Sequence, residues 1–169
     1  MISSHMQHLL NEQYHRELFS ANQYLAMSSY FLAEDLDGFA NFFRVQAEEE
    51  IDHAMRQYDY VHEVDGKITH QALEAPTNEF GSYLEVFEQA LAHEQYITQN
   101  IFQIVKASLD EGDFATHQFF QWFVAEQVEE ESLFRTLISK LKLAANDNSA
   151  LFLMNEELMA RKAGAASEA

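Results

Sequence analysis

Five glycines and one proline serve a chain of 169 residues, too few turn formers for the many tight reversals of a sandwich or barrel, so long helices are favoured. From roughly His5 to Glu34 neither residue occurs, and Leu10, Tyr14, Glu17, Ala21, Tyr24, Ser28 and Phe31 recur at alternating steps of three and four. That spacing is one helical face. Glu34-Asp35-Leu36-Asp37-Gly38 breaks it, and Phe43, Gln46, Glu50, His53, Gln57, Tyr60 and Val64 then repeat it as far as Asp65-Gly66. Beyond the polar stretch around Pro76, a third stripe runs through Tyr83, Phe87, Ala90, Glu94, Ile97, Ile101, Ile104 and Ser108 to Glu111-Gly112-Asp113. The fourth is Phe120, Phe123, Gln127, Glu130, Phe134, Leu137 and Leu141, and Asn146-Asp147-Asn148-Ser149 offers caps for a short fifth helix ending near Arg161.

The predicted helices cover about 5–34, 38–65, 79–110, 113–142 and 148–161 of a single domain, residues 1–162, with 163–169 as a flexible tail. Short links make antiparallel hairpins of the first and second helices and of the third and fourth. The middle link differs: its ~14 residues can extend about 45 Å, and a ~28-residue helix is about 42 Å long, so the link can run the whole bundle. The expected fold is all-α, an up-down four-helix bundle with one long crossover and a short C-terminal fifth helix. That is the connectivity of ferritin-like folds, whereas cytokine-like bundles use two crossovers.

A formal charge of -18 repels nucleic acid phosphates and anionic membranes, so neither is an expected partner. Met1 to Leu10 has no basic and apolar leader pattern, and no apolar run approaches the ~20 residues that span a bilayer, which leads us to expect a cytoplasmic protein. With no cysteine, any metal must be held by oxygen and imidazole.

Each core-facing stripe carries a glutamate near its middle: Glu17, Glu50, Glu94 and Glu130. Burying one unpaired carboxylate costs several kcal/mol, against a whole-domain stability of roughly 5–15 kcal/mol. Counted from their turns, the four lie within little more than one helical turn of a common level, so they can converge. The stripes hold almost no basic residue, which leaves metal cations as the partner. Glu50-Ile51-Asp52-His53 is Glu-x-x-His on a helix, where residues three apart can bind one ion together. Oxygen-rich sites with one or two nitrogens suit iron or manganese over copper, with zinc as a competitor. Glu50, between Glu17 and His53 on one side and Glu94 and Glu130 on the other, is placed to bridge two ions. Helical side chains lean toward the N-terminus, which tilts Tyr24 toward the Glu17 level. The other histidines, His5, His8, His15, His62, His70, His93 and His117, fall off the stripes and read as surface.

These residues resemble the bacterial-type non-haem ferritins over essentially the whole chain. The resemblance rests on Glu17 and Tyr24, Glu49-Glu50-x-x-His53, Glu94, and the run Trp122-Phe123-Val124-Ala125-Glu126-Gln127-Val128-Glu129-Glu130-Glu131. It implies a first iron held by Glu17, Glu50 and His53 with Gln127 as a weak or outer ligand, and a second held by Glu50, Glu94 and Glu130. It also implies a third iron site of Glu49, Glu126, Glu129 and Glu130 toward an internal cavity, and Tyr24, with Trp122, as an electron donor. Bacterioferritin would repeat Glu-x-x-His on the fourth helix and carry a haem-ligating methionine, but this chain has Gln127-Val128-Glu129-Glu130 and Asp52, so no haem is expected. The acidic pair of the animal threefold pore is replaced by His117 and Phe120.

The function implied is iron storage with ferroxidase activity: two Fe(II) oxidised by dioxygen or hydrogen peroxide, and Fe(III) stored as mineral inside a homo-oligomer of twenty-four chains. The residues alone leave two rivals open. One is a non-cage di-iron oxidase or peroxidase acting on an organic substrate, and the other is a passive metal buffer.

Overall fold

A computed structural model describes residues 2–145 and 147–163. Among these, five helices and no strand occur: α1 Ser4–Ala33, α2 Asp37–Glu63, α3 Tyr83–Glu111, α4 Phe114–Leu143 and α5 Asn148–Met159. Asn146 of the expected cap, and the expected tail beyond Ala163, lie outside the described residues.

Helix starts follow hydroxyl and carboxylate caps. Ser3 accepts from Met6 N, Ser82 from Glu85 N, Asp113 from Thr116 N, and Asp147 from Ser149 N and Ala150 N. The Ser82 cap is why α3 starts at Tyr83, four residues after the expected start. Gly112 closes α3 at φ 70°, the left-handed conformation that glycine adopts without a Cβ penalty. In the turn between α1 and α2 and at the end of α2, Asp35 and Asp65 take the left-handed conformation, at φ 57° and 58°. Gly38 serves packing. A Cβ there would lie 1.7 Å from the backbone oxygen of Asn155, whose side-chain Oδ1 accepts from Gly38 N at 2.9 Å. This close approach seats α5 on α2, with Met154 and Leu158 buried while Phe152 and Leu153 stay exposed.

The crossover runs extended along α1 and is pinned by a row of α1 side chains spaced four or eight residues apart. Gln7 Oε1 accepts from Lys67 N, Asn11 Oδ1 from Thr69 N, His15 Nε2 from Gln71 N, and Gln23 Oε1 from Thr77 N. His15 is therefore buried, with Nδ1 2.7 Å from the Asn11 carbonyl oxygen, which corrects its assignment to the surface. The link carries α3 back to the α1–α2 turn, so α2 and α3 run parallel.

Two separate apolar clusters fill the bundle. One, around Phe31, Phe39, Phe43, Phe87 and Phe134, lies at the α1–α2 turn and includes α5. The other, around Leu10, Tyr60, Ile101, Phe120 and Phe123, lies at the α3–α4 turn. Phe120 is fully buried there and cannot line a pore. On every long helix a polar interval divides the two clusters, and the glutamates occupy it.

Candidate metal centre

Glu17, Glu50, Glu94 and Glu130 are all buried, exposed by 1%, 2%, 1% and 5%, although no lysine or arginine ion pair is formed by any of them among the described residues. Each projects inward because it stands where its helix stripe requires an apolar side chain. Glu17, Glu50 and His53 each present a ligand atom within 4.8 Å of the others, and His53 Nδ1 lies 3.4 Å from Glu50 Oε2. One oxygen of Glu17 is buried without a hydrogen-bond partner among the described residues. This donor set fits a hard divalent or trivalent cation: acceptor oxygens converge with one imidazole, and the remaining capacity is unfilled.

Neutral donors hold the carboxylates. Gln13 Nε2 and Gln57 Nε2 donate to Glu17 Oε1 at 3.0 and 2.8 Å, and Gln46 Nε2 to Glu130 Oε2 at 2.8 Å. Gln127 Nε2 donates to Glu94 Oε2 at 3.0 Å, and the Tyr24 hydroxyl donates to Glu94 Oε1. Amides orient the oxygens without cancelling their charge, so the cation-attracting field is preserved. Gln13 lies off the α1 stripe and was not expected here; its position one turn before Glu17 was the available signal.

The electrostatic cost is visible in the proton affinities. Burial, then Glu94, Glu17 and Glu130, holds the Glu50 carboxyl well above the ordinary carboxylate range. Burial, then Glu94, pushes Glu130 up to about 8, against the opposing Gln46 and Arg161. Glu94 is raised by burial, with the Tyr24 and Gln127 donors opposing. Burial and the neighbouring glutamates keep the Tyr24 hydroxyl protonated.

Around this set, Trp122 meets the His53 ring edge-on at 5.4 Å and carries the Arg56 guanidinium 4.2 Å above it. Glu49 on α2 and Glu126 and Glu129 on α4 lie on the flank beside Glu130; the Glu126 carboxyl is raised by burial, with Glu129 and Glu49 adding and His53 opposing. His93 departs from the surface reading. Its Nε2 lies 2.7 Å from Ser20 Oγ, its ring meets Tyr24 edge-on at 6.2 Å, and burial lowers its pKa to about 4, leaving it neutral at pH 7.

A one-crossover bundle with Glu-x-x-His and three further helix-borne glutamates defines the ferritin-like metal-carboxylate class. The ferritin-like domain family model matches residues 7–144. The chain is 40% identical over 156 residues to the bacterial non-heme ferritin of Campylobacter jejuni, covering 92% of this chain and 93% of that one. It is 39% identical over 161 residues to that of Staphylococcus aureus, covering 95% and 97%. The open pore ferritin of the archaeon Archaeoglobus fulgidus superposes with a TM-score of 0.94 at 42% identity, covering 96% of this chain and 100% of that chain. A closed form of that ferritin engineered by mutagenesis gives 0.95 at the same identity, covering 96% and 99%. The chain belongs to the ferritin family.

Proposed function

We propose that this chain is an iron-storage ferroxidase, and the convergence of four buried glutamates with His53, none of the four ion-paired to a lysine or arginine among the described residues, is the observation that carries the reading. Iron is substrate and cargo. One Fe(II) enters between Glu17, Glu50 and His53, with Gln127 alongside, and a second between Glu50, Glu94 and Glu130. Glu50 spans both, fixing the pair a few Å apart so that two electrons leave together. Two Fe(II) become two Fe(III), and the electron pair reduces dioxygen to hydrogen peroxide or hydrogen peroxide to water. Anionic oxygens stabilise Fe(III) more than Fe(II), which favours oxidation. Tyr24 stands beside the centre, bonded to Glu94, and Trp122 packs edge-on against His53. Fe(III) then moves to a third position at Glu49, Glu126, Glu129 and Glu130 and on to a mineral core.

The storage shell is a homo-oligomer of twenty-four copies. Exposed apolar side chains support assembly: Phe152 and Leu153 on α5 are 62% and 68% exposed, and Leu25, Leu32, Phe114 and Leu143 also face outward. Among the described residues no helix is long and apolar enough to cross a membrane. The test is size-exclusion chromatography with light scattering after aerobic Fe(II) addition, reading iron absorbance across the peak. Many irons per chain should coelute with a particle near twenty-four chains. A monomer or dimer keeping only about two irons per chain would replace storage with a non-cage di-iron oxidase.

Gln127 sets how firmly product is held. A neutral amide at this position binds iron more weakly than a carboxylate would, so Gln127→Glu should retain more iron at the centre after oxidation, measured by iron content of the desalted protein. Unchanged retention would overturn the tuning role of Gln127.

A further inference from the structure

The guanidinium of Arg161, just past the end of α5, reaches into the acidic flank: its Nη2 donates to Glu49 Oε2 at 2.7 Å, with the two side chains 16% and 14% exposed. It lies 4.5 Å over the Phe42 ring, and its Nη1 is buried without a hydrogen-bond partner among the described residues. It also opposes the upward push on Glu130. The backbone that carries it is held independently of Glu49. Asn41 Nδ2 donates to the carbonyls of Leu158, Met159 and Arg161 at 3.1, 3.3 and 3.1 Å, and Asn155 fastens the same helix to Gly38 and Phe39. The fifth helix thus delivers a guanidinium onto an oxygen that a metal ion would use.

We propose that Arg161 is a built-in counter-cation that competes with iron for Glu49, keeping the third position weak so that Fe(III) passes through it to the mineral instead of lodging there. This inference rests on the third position described above. A cation entering beside Glu130 must either displace the guanidinium from Glu49 or share the carboxylates with it, and both lower affinity. Arg161 touches no substrate in the resting state; it is a positioning residue that acts through Glu49.

The experiment is Zn2+ titration calorimetry on the iron-free full chain, with Arg161→Gln, Arg161→Lys and Glu49→Gln beside the parent. The parent should show two tight sites per chain and a weaker third. Arg161→Gln should tighten the third about tenfold or more and leave the first two unchanged, Arg161→Lys should stay near the parent, and Glu49→Gln should lose the third. Three Zn2+ per chain with no tightening in Arg161→Gln would overturn the role of Arg161 while leaving the third position standing. No third Zn2+ in any protein, or a third that survives Glu49→Gln, would overturn the third position and this inference with it. Weakening of all sites together with a lower thermal midpoint in Arg161→Gln would make the residue a lock for α5 and nothing more.

Discussion

Replacing Glu50 with alanine should abolish the fast phase of Fe(II) oxidation and lower the initial rate at two Fe(II) per chain by at least ~100-fold. Outer partners of a metal ligand are worth ~10–100-fold, and Glu50 is the ligand proposed to be shared by both positions. Its loss leaves Glu17 and His53 without their bridging oxygen and Glu94 with Glu130 as a separate pair, so the two electrons no longer leave from one assembled unit. Slow mineral growth on an existing core needs no paired centre and continues. Stopped-flow absorbance after aerobic mixing separates the two phases. A passive cation buffer would be indifferent to the substitution, since Glu50 is only one of 28 acidic residues. A fast phase that survives in Glu50→Ala removes the proposed centre.

The second large effect is on the stability of the iron-free protein. Glu130, held at about 8 against an ordinary 4.5, binds a proton in the folded chain that the unfolded chain releases. Its contribution is complete below pH 4.5 and is lost as pH rises through 8. Each such proton costs about 1.4 kcal/mol per pH unit across that window, and Glu50 and Glu94, raised for the same reason, add in the same direction. His93 has the opposite sign: lowered from 6.5 to about 4, it contributes fully above 6.5 and loses that contribution as pH falls toward 4. Between 4.5 and 6.5 it offsets one carboxylate; above 6.5 nothing offsets them. The thermal midpoint of iron-free protein should therefore fall from pH 6.5 to 8.5, while Zn2+-loaded protein, with the metal in place of the protons, should stay nearly level. A flat or rising midpoint in the iron-free protein would mean the glutamates are not forced together.

Much of this was legible in the sequence because helical periodicity reports facing. Glu17, Glu50, His53, Glu94, Gln127 and Glu130 all sit on stripes whose other members are core residues, and the structure buries all six. The supporting contacts were not legible, since they depend on where a neighbouring element lands. Gln13 and His15 look like surface until α2 brings Gln57 to the same Glu17 oxygen and the crossover brings Gln71 to the imidazole. Phe120 was assigned to a pore by likeness, yet its stripe position already marked it as core. Arg161 is unreadable without the docking of α5, which hangs on the Gly38 and Asn155 approach. The left-handed turns at Asp35 and Asp65 were masked by glycines close by.

The division of the interior into two apolar clusters also bears on cooperativity. Each cluster is closed by its own helical hairpin turn, so apolar packing within one half makes no direct contribution to packing within the other. Between them the four long helices cross a polar disc, and in the absence of a cation that disc, with its crowded carboxylates, is the frustrated part of the interior. A cation held by the four glutamates would turn that disc from the weakest layer of the interior into a clasp between its two apolar halves.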